Sequence, residues 1–204
     1  ALAAPFSSVG LMWGIEESMI MSITDPELLH DAMGYWKEFA KRWIKAQHEA
    51  GAHAVWLGDC NAFSGLLSVA TYNELIFDIT KEIVDYAENE VGCMIWMHNS
   101  EISLPHVQSH IALGCSFESI GPDADITAIR AATKNKQAIS GNLDPIKTLM
   151  NGSPKLVASE VERIIGICKE GGHYIFAPGE MNPRQVPEEN MRTMMSTAKK
   201  LSRY

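Results

Sequence analysis

Cysteine is scarce in this 204-residue chain, and the four present (Cys60, Cys93, Cys115 and Cys168) form no Cys-x-x-Cys pair. That spacing supports neither a disulfide framework nor a cysteine-paired zinc module, and it predicts a reducing, cytoplasmic setting. No apolar run reaches the ~18 residues that a membrane-spanning helix needs. The opening residues, Ala1 to Gly10, contain no basic region followed by a long apolar stretch. Basic residues are outnumbered, with 17 Lys and Arg against 25 Asp and Glu and a formal net charge of -8. Such a balance disfavours non-specific affinity for nucleic acid or anionic membranes. A glycine-rich dinucleotide fingerprint is also missing after every candidate strand.

What is present is a repeating unit of short apolar strand, polar loop and helix. Hydrophobic residues make up 46% of the chain, enough for one sizeable core and one domain. Asp25 to His48 reads as a long helix, with Asp25 to cap it and Pro26 to open it. Further helices are expected at about 70–89, 104–113, 126–133, 154–169 and 187–201. Strands are expected at about 52–57, 93–97, 116–120, 137–140 and 173–177. Their near-continuous apolar character is that of parallel strands covered on both faces. An open doubly wound sheet and a closed barrel both satisfy this pattern. The barrel is favoured because each strand leads to a polar residue at its C-terminal end, and a (β/α)8 barrel gathers its site from that edge.

Those residues are Asp59, His98, Glu118, Asn142 and Glu180. His98 is either a structural hydrogen-bonding group or a metal ligand or proton donor. Glu180, after Pro178-Gly179, is a solvated loop charge or a member of the same site. Asp59 is a ligand, a base or a helix cap. Glu118 is a site carboxylate or the partner of Arg130 or a lysine. Asn142 and Asp144, in Gly141-Asn142-Leu143-Asp144-Pro145, bond their own turn or present polar groups to a substrate. Cys60 and Cys115 are read as packed small hydrophobes.

The same loop, with Leu149 and Asn151-Gly152-Ser153-Pro154, resembles the signature region of the uroporphyrinogen decarboxylase superfamily. Gly171 to Phe176, Pro187 to Asn190, Ala4-Pro5-Phe6-Ser7, Asp25 to Leu28, Gly51 to Ala54 and Gly58-Asp59 extend the resemblance over essentially the whole chain. It implies a (β/α)8 TIM barrel of well over ~300 residues. Residues 1–204 are then expected to be the C-terminal part of one domain, its missing strands supplied by an N-terminal segment or a partner chain. The resemblance implies two chemistries: decarboxylation, or zinc-dependent methyl transfer involving corrinoid proteins. Decarboxylases of this kind carry a tyrosine near Leu11 and a histidine where this chain has Glu180. Coenzyme M methyltransferases bind zinc through a His-x-Cys pair and a late cysteine. His98 matches the histidine, while Ser100 and Glu180 occupy the two cysteine positions.

The expected function is therefore corrinoid-linked methyl transfer, with demethylation of a small O-methyl compound by a zinc Lewis acid. His98, Glu180 and Glu118 are the expected metal ligands. Asp59, His98 and Glu180 are the expected catalytic groups, and Asn142 and Asp144 the expected substrate contacts. A corrinoid-binding protein is the expected partner. The alternatives are a decarboxylase or lyase of the same superfamily, or a non-catalytic barrel that serves as a binding protein.

Overall fold

The computed structural model describes residues 1–134 and 136–202. Its six strands are β1 (Leu2–Ala3), β2 (Ala54–Gly58), β3 (Met94–Glu101), β4 (Phe117–Ile120), β5 (Ala138–Leu143) and β6 (Tyr174–Pro178). They join one sheet in chain order, β1 through β6, and the pairs β1–β2, β2–β3 and β5–β6 are parallel. A doubly wound sheet reverses its order at a switch point. Sequential order with helical crossovers is instead that of a (β/α)8 barrel, so this is a six-stranded part of one.

The helices are α1 (Pro5–Trp13), α2 (Ile15–Thr24), α3 (Pro26–Glu49), α4 (Val69–Leu75), α5 (Phe77–Asp85), α6 (Leu104–Leu113), α7 (Ile126–Thr133), α8 (Pro154–Cys168) and α9 (Glu188–Leu201). Asp25 caps α3 as expected, accepting from the Leu28 amide at 3.1 Å, with Pro26 in the first turn. Among the described residues, no helix is long and apolar enough to cross a membrane.

The chain divides into two compact units. The first contains residues 1–99 and 105–118. Its core joins Leu57 of β2, Ile95 and Met97 of β3, Ile44 of α3 and Ile83 of α5. A second cluster packs Phe6 of α1 against Leu29 and Met33 of α3 and Tyr72 of α4. The other unit contains residues 100–104 and those from Ser119 onward. There Leu143 and Leu149 meet Val157, Val161 and Ile164 of α8 and Met194 of α9. Ser153 caps α8 through Leu156.

Three expectations change. Helices α1 and α2 have no counterpart in the periodicity reading. Nothing on Ala4 caps α1, and its residues are apolar or small around most of the circumference, so no period stands out. The helix expected at 70–89 is divided into α4, α5 and a π-helical stretch, Tyr86–Val91. β3 runs to Glu101 rather than stopping at Met97, so His98 lies within the strand.

The π-helical stretch carries Glu88, whose carboxylate accepts from the Ile95 amide, the Ser116 amide and the Ser116 hydroxyl, each at 2.8 Å. These bonds hold the entries of β3 and β4. Glu88→Ala would leave two partly buried amides unpaired, so it is expected to cost about 3 kcal/mol of stability. Denaturant midpoints of wild type and variant measure this. A loss under about 1 kcal/mol would show that water replaces the carboxylate at little cost.

Candidate functional site

In β3 the side chains alternate between two faces. Ile95, Met97, Asn99 and Glu101 are buried, while Met94, Trp96, His98 and Ser100 stand on the less covered face. Parallel register sets Trp56 beside Trp96 and Gly58 beside His98. The Trp56 ring lies across Gly58, where a Cβ would collide with it. The missing side chain lets that ring reach His98, with centroids 4.8 Å apart. His98 is thus set against an aromatic wall.

Asp59 follows β2 and is almost fully buried. Its Oδ1 accepts from the Ser7 hydroxyl at 2.8 Å and the Ser7 amide at 3.3 Å. Ser7 lies in the first turn of α1, so Asp59 supplies the cap that Ala4 lacks. Of the readings open to Asp59, the cap is the one its contacts show. Its Oδ2 has no hydrogen-bond partner among the described residues. Burial pushes the carboxyl from 3.8 up to about 6, against the opposing effects of the Ser7 bonds and the charge of His110.

Glu118 is the second residue of β4 rather than its end, and it is fully buried. Its Oε1 lies 2.8 Å from His110 Nδ1 on α6, so His110, not Arg130 or a lysine, is its partner. Arg130 instead donates to the carbonyls of Glu170 and Gly172. The Tyr72 ring packs against His106 and His110, enclosing this pair in the helix layer. Glu118 is therefore turned toward α6, away from the face that carries His98. Cys115 is buried as expected, whereas Cys60 is exposed.

The remaining polar residues belong to the second unit. Asn142 lies within β5, one residue before its end, and is 4% exposed. Its Nδ2 donates to the carbonyls of Gly121 and Ala124, both at 3.2 Å. Carbonyls only accept, so these contacts fix which end of the amide is nitrogen. Asn142 Oδ1 has no hydrogen-bond partner among the described residues. Asp144 caps the turn that follows, accepting from Ile146 at 2.8 Å and Lys147 at 2.7 Å. That is the local role of a turn carboxylate. Ser100 Oγ donates to Glu180 Oε2 at 2.5 Å, and Glu180 Oε1 accepts from the Met181 amide at 2.9 Å. β3 carries Ser100 and β6 leads to Glu180, so this bond joins residues 80 apart in the chain.

This is the arrangement of part of a (β/α)8 barrel, with polar side chains near the C-terminal ends of parallel strands. The comparisons make the class specific. The family model described as uroporphyrinogen decarboxylase (URO-D) matches residues 1–201, and the chain belongs to that family. A uroporphyrinogen decarboxylase of Nitrosomonas europaea is 30% identical over 175 residues, covering 81% of this chain and 46% of that protein. A methylated-thiol–coenzyme M methyltransferase of Methanosarcina mazei is 29% identical over 168 residues, covering 80% of this chain and 43% of that protein. A solved methyltransferase from Methanosarcina mazei superposes with a TM-score of 0.78 at 18% identity, over 92% of this chain and 54% of that one. That likeness shows the fold. The chain spans about half the length of the curated relatives it matches.

The zinc expected from the resemblance does not fit the donors present. Among the described residues, no three His, Cys, Asp or Glu side chains gather where they could hold a metal ion. Glu118 is held by His110, and both Glu180 oxygens accept hydrogen bonds. Sequence reasoning missed Ser7 and His110 because their importance comes from partners 52 and 8 residues away.

The Asp59 shift has a definite sign. A carboxyl raised in the folded state favours folding most below pH 3.8 and loses that contribution as pH rises through about 6. Ionised Asp59 then costs about 3 kcal/mol at pH 7 relative to acid. Asp59→Asn has no such dependence. Its stability relative to wild type is expected to rise by about that amount between pH 4 and pH 7, as read from unfolding midpoints. A difference that stays flat with pH would mean that the Asp59 carboxyl is not raised.

Proposed function

We propose that the protein containing this chain acts in corrinoid-linked methyl transfer, removing a methyl group from a small O-methyl compound. The observation that carries this reading is the Ser100–Glu180 hydrogen bond. Positions 100 and 180 are those which the resemblance to coenzyme M methyltransferases gives to two cysteines, and here they meet as a pair of oxygen donors. The 29% identity to the Methanosarcina methyltransferase supports the same branch. Thiolates suit a site that activates a sulfur nucleophile, whereas a hydroxyl and a carboxylate suit an oxygen substrate.

In the proposed reaction the methyl carbon–oxygen bond breaks, and a reduced corrinoid carried by a partner protein would serve as the methyl acceptor and supply the electron pair of the new bond. The departing oxygen keeps its own pair and takes a proton from water. Ser100 and Glu180 orient the substrate. No step is routed through zinc, because no three metal-binding side chains gather among the described residues.

Decarboxylation is the second reading, favoured by the 30% identity to the Nitrosomonas decarboxylase. Leu11 and Glu180 stand where the resemblance gives decarboxylases a tyrosine and a histidine. The discriminating assay presents the full-length protein with reduced cobalamin and either methoxylated compounds or methylated thiols, and separately with uroporphyrinogen. Methylcobalamin is expected from the methoxylated set, with kcat/KM lowered about 100-fold in Glu180→Ala. Carbon dioxide release from uroporphyrinogen, without methyl transfer from any donor, would replace this reading with the second.

A further inference from the structure

The ends of β3, β4, β5 and β6 bring three oxygen acceptors onto one backbone framework. The Ser100 hydroxyl has its proton directed at Glu180, so what remains at Ser100 Oγ is lone pairs. Glu180 presents a carboxylate whose position is set by Ser100 and the Met181 amide. Asn142 adds Oδ1, an acceptor buried without a partner, while its nitrogen is committed to the Gly121 and Ala124 carbonyls. Gly121 joins the three. Its Cα packs so closely on the Ser100 carbonyl that a side chain there would collide with it. Gly179, which precedes Glu180, packs on Gly121 and Pro122, with a Cβ position 2.7 Å from the Pro122 nitrogen. None of these three side chains carries a positive charge or a donor still seeking an acceptor.

We infer that Ser100, Asn142 and Glu180 form a subsite for a hydrogen-bond donor of the substrate, a hydroxyl or an ammonium group, and that it rejects carboxylates. The inference rests on the proposed O-methyl substrate for its choice of compounds, but not on turnover. A donor entering here reaches Ser100 and Glu180, which are not buried, and a bond to the Glu180 carboxylate is stronger than one between neutral groups. Among these three side chains a carboxylate meets only acceptors and a like charge.

The experiment measures equilibrium binding of methoxyethylamine, methoxyethanol and methoxyacetate to the full-length protein by ligand-detected NMR. No methyl acceptor is present, so a failure of the methyl-transfer assay leaves the measurement intact. The amine and the alcohol are expected to bind at least about ten-fold more tightly than the acid. The neutral alcohol separates hydrogen bonding from the general attraction of a chain with net charge -8 for any cation. Glu180→Gln and Ser100→Ala, both at positions that are not buried, are expected to reduce that preference to about two-fold or less. Equal or tighter binding of methoxyacetate, absence of binding by both donor compounds, or a preference that survives in both variants would overturn the inference.

Discussion

Parallel pairing of the strands in chain order is the constraint on which the rest of this structure depends. It sends each C-terminal strand end to the same edge of the sheet and requires a helix-bearing crossover between successive strands. Side chains on one face of each strand meet those helices. The residues at and beyond the C-terminal ends are left for polar contacts. The Ser100–Glu180 bond, the Asn142 amide and the Asp144 cap all lie at that edge. Asp59 and Glu118 show the other outcome, carboxylates drawn into the helix layer and held by Ser7 and His110.

Burial separates these two groups of carboxylates physically. Asp59 is enclosed, so its charge is costly and its carboxyl is pushed to about 6. Glu118 is enclosed as well, and a histidine 2.8 Å away compensates it. Glu180 is exposed and takes its geometry from a serine and a backbone amide. Of the three, only Glu180 combines access for a substrate with a fixed orientation, which makes it the carboxylate best placed to act on one.

The alternation of strands and helices was legible in the sequence because the strands are continuous apolar runs and the long α3 has both a cap and a period. The barrel was legible from the polar residues near successive strand ends. What the sequence could not show was which face each of those residues takes. A shift of one position along a strand exchanges faces. Glu118 sits second in β4 rather than last, and that difference sends it to His110 instead of the face shared with His98. Asp144 followed the turn chemistry of its own loop. The Ser100–Glu180 contact joins residues 80 apart, and no local pattern announces it; the resemblance to the methyltransferases singled out both positions separately.

The central claim is that positions 100 and 180 meet as an oxygen pair that binds through hydrogen bonds. A crystal structure of the full-length protein, grown with zinc present and measured at the zinc absorption edge, tests it most directly. The account predicts Ser100 Oγ and Glu180 Oε2 within hydrogen-bond distance and no anomalous peak between β3 and β6. An anomalous peak bound by Glu180, with Ser100 turned away from it, would contradict the account.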